Sequence, residues 1–204
     1  MQIAIIGSGN IGGALAAGLA KQKHHIILGA RNTSSPDIEA LTKSSKNITA
    51  ATVADAVAQS DVIIIAVPLA AVPEVAKSLG NIKGKLVIET TNAFGKPLPK
   101  YINGTAAIKE ITGNDDVVKC FNSIGAENLS NPKFGNFVAD TFVAGNSKKA
   151  KGVAIKLAED MGFGNCFDIG GDEALPILEN IAQLWEKLAY SAQLGRRLAF
   201  KVLY

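Results

Sequence analysis

Residues 1–37 read MQIAIIGSGNIGGALAAGLAKQKHHIILGARNTSSPD. The β-branched run Ile3–Ile6 predicts a strand, the small-residue run Ile11–Lys21 a helix, and Ile26–Gly29 a second strand. Between the first two lies Gly7-Ser8-Gly9-Asn10-Ile11-Gly12, which matches G-x-G-x-x-G. In that setting the first glycine permits a tight turn and the second lets the backbone approach a pyrophosphate. The third lets helix and strand pack closely. The helix that follows offers free N–H groups and the positive end of its dipole to the same anion. The stretch therefore predicts a dinucleotide site at the first strand of an α/β fold.

A site for NAD usually carries Asp or Glu about twenty residues beyond the glycines, where it holds the ribose hydroxyls. Here Gly29-Ala30-Arg31-Asn32 occupies that point, and no acid appears until Asp37. A carboxylate would repel a 2′-phosphate, whereas a guanidinium forks onto its oxygens. Hydrogen bonds to charged groups contribute roughly 1.5–3 kcal/mol, so one Arg31–phosphate contact favours NADP by about 10- to 150-fold. Ala30 leaves space, and Asn32, Thr33 and Ser34 supply further donors. The expected cofactor is NADP.

Further strands are predicted at Val62–Val67, Leu86–Glu89, Val117–Phe121, Thr141–Ala144 and Asn165–Ile169, with a weaker one at Ile48–Ala50. "DVIIIAVP" (61–68) is unbroken and apolar, as expected of a strand covered on both faces. Helices are predicted at Asp37–Lys43, Val53–Gln59, Val72–Leu79 (with Pro73 in its first turn) and Lys148–Met161. This alternation implies a doubly wound parallel sheet with right-handed crossovers, a Rossmann-like domain over residues 1–170. The stretch "NLSNPKFGNF" (128–137) reads as a loop. Residues 171–204 carry no strand signal, and Leu178, Ile181, Trp185, Leu188 and Ala192 recur at helical spacing, widened by Leu184 and Ala189. One or two long helices packed on the same domain are expected, either covering the sheet or forming part of a homodimer surface.

In such a sheet the ligand lies beyond the carboxyl ends of the strands. That nominates Ala66, Val67 and Pro68, then Thr90, Thr91 and Asn92, then Asn122–Ala126. The 204 residues are 48 % hydrophobic and 19 % charged, with a net charge of +3 and no basic run, so nucleic acid is not an expected partner. The apolar N-terminus lacks a basic leader region, and no stretch is long enough to span a membrane. Cys120 and Cys166 fit buried thiols in a reducing compartment. A cytoplasmic protein without membrane or metal is expected.

Acid–base machinery is sparse. His24 and His25 start the second strand, at the far end of the sheet from the glycines, and read as surface residues; no Tyr-x-x-x-Lys occurs. Lys96 and Lys100 read as solvated loop charges. Hydride transfer between nicotinamide and a flavin-type ring tolerates this, because the second ring is its own acceptor and the chemistry depends on stacking two planes.

The segments "IAIIGSGNIGGALAAGLA", "LGAR", "DVIIIAVP", "VIETTNAF", "VVKCFNSIGAENL", "DTFVAGN…AK…LAEDMGF" and "LENIAQLWEKLAYSAQLGRRLAFKVL" together resemble the F420-dependent NADP oxidoreductases over nearly the whole chain. They also resemble the oxidoreductase domain of transmembrane metalloreductases. The resemblance implies a commonly dimeric enzyme moving a hydride between NADPH and a small-molecule acceptor, F420 or FMN/FAD. It places Ser8, Asn10 and Ile11 at the pyrophosphate, Ala30 and Arg31 at the 2′-phosphate, and Val67-Pro68 on the nicotinamide side. Ile124-Gly125-Ala126 would face the reacting rings. Leu69 stands where that family often has an aromatic residue, and Asn122 where it has a histidine. Both departures lie on the acceptor side. Two other readings stay open, an imine or hydroxy-acid reductase and an NADPH-binding redox sensor without turnover.

Overall fold

The computed structural model describes residues 1–96 and 98–204. Among the described residues ten strands occur in chain order: β1 (Gln2–Ile6), β2 (His25–Gly29), β3 (Ile48–Ala51), β4 (Val62–Ile65), β5 (Leu86–Glu89), β6 (Val117–Cys120), β7 (Lys133–Phe134), β8 (Phe137–Val138), β9 (Thr141–Ala144) and β10 (Cys166–Asp168). The helices are α1 (Asn10–Lys21), α2 (Pro36–Ser44), α3 (Val53–Ala58), α4 (Val72–Ser78), α5 (Gly104–Thr112), α6 (Ala126–Leu129), α7 (Lys148–Asp160) and α8 (Leu175–Glu186). Eight strands form one sheet in the order β10-β9-β6-β5-β4-β1-β2-β3. The run from β3 to β6 is parallel throughout. This is the Rossmann-like doubly wound fold.

Alternate residues of each strand feed two separate cores, as the period of two requires. Ile3, Ile5, Ile64 and Val118 pack with α1 and α7, while Ala4, Ile6, Ile63 and Val117 pack with α3, α4 and α5. Both faces are covered, which is why the strands read as unbroken apolar runs. A third, smaller core joins α8 to β9 through Ala144, Leu175 and Leu178, flanked by Phe142 and Ile169.

The structure departs from the sequence expectation at several points. β9 runs antiparallel to β6, because the connection 121–140 stays at the carboxyl end of the sheet. It spends its length on the single turn α6 and on a hairpin, β7–β8, where a loop was expected; a parallel return needs a crossover. Helix α5 was not anticipated. Asn103 caps it by accepting from the Ala106 N–H at 2.8 Å, and Gly113 ends it at φ +68°.

The C-terminal helix is also shorter than expected. After α8 the chain makes one wide π-turn, Lys187–Ser191, and then Gln193 and Gly195 adopt left-handed backbone at φ +57° and +76°. Residues 192–204 form a strap rather than helix. Asp140 holds it: its N–H donates to the Phe200 carbonyl, and its carboxylate accepts from the Val202 N–H and Lys201 Nζ, all at 2.9 Å. Leu184 and Ala192, placed on the buried stripe by spacing, are exposed, whereas Leu178, Trp185 and Ala189 are buried. Among the described residues no helix is long and apolar enough to cross a membrane.

Candidate active site

β1 ends at Ile6 and the chain turns at Gly7 with φ +109°, a conformation that disfavours any side chain. A Cβ on Gly7 would stand 2.4 Å from the Ala66 carbonyl oxygen, and one on Gly12 would stand 1.9 Å from the Gly7 carbonyl oxygen. Both glycines are therefore demanded by packing. Gly9 is not: a Cβ there would meet nothing within 4 Å. The turn thus leaves open space over its middle glycine, in front of α1. That helix begins without a side-chain cap and without an acid in its first turn. Its N-terminus is left free to receive an anion.

The same turn draws the neighbouring strand end into the site. Val67 Cγ1 would lie 3.0 Å from a Gly7 Cβ, so Ala66 and Val67 abut the turn directly, with Pro68 exposed beyond them. On the other side, β2 closes on Gly29 and Ala30. A Cβ on Gly29 would stand 2.5 Å from Ile6 Cδ1. Arg31 follows, exposed and in no ion pair among the described residues. Asn32 shapes the bend after it by accepting the Ser34 N–H at 3.0 Å. No carboxylate occurs in this turn.

The loops after β5 and β6 are tied together. Asn122 donates to the Asn92 side-chain oxygen at 2.9 Å and to the Leu178 carbonyl at 2.9 Å, and Asn92 returns a bond to the Asn122 carbonyl at 3.0 Å. Asn122 is thus a buried strut between β5, β6 and α8. Phe121, just before it, is fully buried in left-handed backbone at φ +60°, an uncommon and strained state for a bulky residue. That kink re-aims the chain so that Asn122–Ala126 crosses the carboxyl end of the sheet. Ala126 there meets Asn10 of the glycine turn across a cavity of about 390 Å³, which Glu127 and Arg196 complete. Two nominated residues 116 positions apart in sequence share one cleft.

Glu127 and Arg196 were missed by the sequence reading, which placed Arg196 on a helix. Arg196 forks onto Glu127 at 2.7 and 3.0 Å, holds the Tyr190 hydroxyl, and lies over the Trp185 ring. The Arg196 guanidinium keeps the Glu127 carboxyl below its usual range. Glu89, Lys119 and Glu179 were missed too, although a lone charge inside the apolar runs "LVIE" and "VVKC" was a legible sign. Lys119 and Glu89 are register partners on adjacent strands, and their side chains meet at 2.6 Å with no exposure at all.

His24 is a correction. It is buried, not superficial, with its ring 3.1 Å from both the N-terminal amine and the Asp160 carboxylate. Burial holds its pKa below the ordinary value. It lies at the start of β2, away from the glycine turn, while His25 is exposed. Lys100 sits on the surface, 3.5 Å from Glu110 and over the Tyr101 ring. Cys120 and Cys166 are free thiols 3.9 Å apart, and burial pushes the Cys120 thiol up.

Residues 2–93 match the family described as NADP oxidoreductase, coenzyme F420-dependent. An F420-dependent NADP reductase of Methanothermobacter marburgensis is 29 % identical over 203 residues, covering 90 % of both chains. The chain is similar to F420-dependent NADP reductases over 90 % of its length. A candidate F420-dependent NADP reductase from Arthrobacter sp. FB24 superposes with a TM-score of 0.87 over the whole of both chains at 22 % identity. An imine reductase of Streptomyces aurantiacus shares the fold, with a TM-score of 0.72 at 18 % identity. That match takes in 95 % of this chain but 63 % of the larger enzyme.

Proposed function

We propose that the protein is an NADP(H)-dependent oxidoreductase that moves a hydride between NADPH and a planar deazaflavin- or flavin-type acceptor, F420 or FMN/FAD. The observation that carries the cofactor choice is the end of β2, where an exposed Arg31 stands without a neighbouring carboxylate. The F420-dependent NADP reductases among its relatives support the acceptor class.

The residues present fit the cofactor. The open face of Gly9 and the uncapped start of α1 receive the pyrophosphate, with Ser8, Asn10 and Ile11 around it. Ala30, Arg31, Asn32 and Ser34 take the 2′-phosphate. Ala66, Val67 and Pro68 wall the nicotinamide side, and Thr91, Asn92 and Ala126 belong to the loops that face it. When bound, NADPH supplies the hydride and leaves as NADP⁺. The chain contributes no histidine here, so its work is to hold two rings in register and exclude water. Residues 171–204 serve this same domain, through α8 and the strap, rather than forming a second one.

The test is titration of the purified protein with NADPH, F420 and FMN, followed by steady-state turnover. Oxidation of NADPH with F420 or FMN supports the reading. Turnover with cyclic imines or keto acids instead would make it an imine or hydroxy-acid reductase, and binding without turnover would make it a sensor. The exposed Ile177, Leu184, Tyr190 and Leu194 along α8 and the turn after it favour a homodimer. Sedimentation checks this: a monomer at micromolar concentration removes it.

A further inference from the structure

β6 carries an ammonium in a place where its neighbours Val117, Val118 and Cys120 are fully buried. An apolar side chain of similar volume in such a place is often as stable or more so. What Lys119 provides instead is geometry. Its Nζ donates to Glu89 Oε2 and to the Thr91 carbonyl, both at 2.6 Å, and stands 3.0 Å from Glu179 Oε1. The ammonium thus donates to β5 and to the loop after it, and pairs by charge with a carboxylate on α8.

The two carboxylates extend the same grip. Glu89 also accepts the Thr91 N–H and the Thr105 hydroxyl of α5, and Glu179 accepts the Ala93 N–H at 2.9 Å. The Thr90 N–H and hydroxyl both donate to the Ile65 carbonyl. From Thr90 to Ala93 the loop is therefore fixed through its backbone, and most of those bonds lead back to Lys119.

That loop lies at the carboxyl end of β5. A doubly wound sheet is two mononucleotide-binding halves, and the glycine turn and Arg31 assign the adenosine side to the β1-β2-β3 half. The β4-β5-β6 half remains for the nicotinamide mononucleotide. We propose that Lys119 is the positioning residue for the nicotinamide end of the bound dinucleotide, acting through the Thr90–Ala93 loop without touching the ligand. The assignment rests on the NADP reading above.

The experiment compares two ligands on the full chain: adenosine 2′,5′-bisphosphate, which is the adenosine half alone, and NADPH. The variant Glu89→Gln/Lys119→Met removes the two fully buried charges together and leaves Glu179, whose side chain is partly exposed, as the one carboxylate of the cluster. Glu179→Gln, on a partly exposed side chain, is the milder second variant in case the first does not fold. The bisphosphate should bind both variants within about twofold of wild type. NADPH should bind the double variant about tenfold more weakly and kcat should fall, since misplacement of a reacting group costs rate steeply. Glu179→Gln should shift the same way by less. Equal weakening of both ligands, or no change in either, would overturn the role of Lys119 while leaving NADP binding intact. A wild-type protein that binds neither ligand would remove the NADP reading, and Lys119 with it.

Discussion

Arg31→Ala isolates the contact on which the cofactor choice depends. The side chain is exposed and pairs with no carboxylate among the described residues, so the substitution disturbs little of the fold. Hydrogen bonds to a charged group contribute roughly 1.5–3 kcal/mol, and solvent exposure sets the lower end. About 1.5 kcal/mol corresponds to about tenfold in affinity. NADPH should therefore bind Arg31→Ala about tenfold more weakly than wild type, while NADH binding stays within about twofold. The preference is electrostatic and should shrink with salt, as the Debye length falls from about 10 Å at 0.1 M to about 3 Å at 1 M. Fluorescence titration with both nucleotides at the two salt concentrations reads every term. Equal losses for NADPH and NADH, or a preference unmoved by either change, would refute the assignment of Arg31 to the phosphate.

The glycines should separate by role. Gly9→Ala has room in the protein and should keep its unfolding midpoint while weakening NADPH. Gly12→Ala forces a Cβ against the Gly7 carbonyl at 1.9 Å and should lose about 1–3 kcal/mol or more in urea unfolding. His24 is held neutral by burial, with its folded pKa below 6.5. The unfolded chain therefore takes up the proton first. This contribution is whole above pH 6.5 and is lost as pH falls below it toward the folded value. Stability measured from pH 7 to pH 5 should drop more steeply for wild type than for His24→Gln. Asp140→Ala removes the acceptor of Lys201 and Val202 and should cost about 2–3 kcal/mol. Hydrogen exchange at the Val202 amide should speed up far more than exchange in β1.

Most of the strands and helices were legible in the sequence, because each is a local pattern. Thr141–Ala144 and Leu86–Glu89 have the limits expected of them, and Gly7, Gly9 and Gly12 announced a turn whose steric logic the structure repeats. Where the reading went astray, the deciding partner was remote. Helical spacing runs on past Ser191, yet the chain leaves the helix there, and Lys201 and Val202 bind Asp140, which lies 61 and 62 positions before them. His24 looked superficial until Asp160 and the N-terminal amine enclosed it.

The sequence by itself determined the glycine turn, the missing acid after β2 and the covered sheet, since period, glycine spacing and charge at one strand end are properties of neighbouring residues. Only the tertiary structure decided that Asn10 faces Ala126, that Arg196 closes the cleft with Glu127, and that Lys119 joins Glu89 to Glu179. Those pairings depend on strand order and on an antiparallel β9. No local pattern encodes them, because they are fixed by how distant segments share one buried volume.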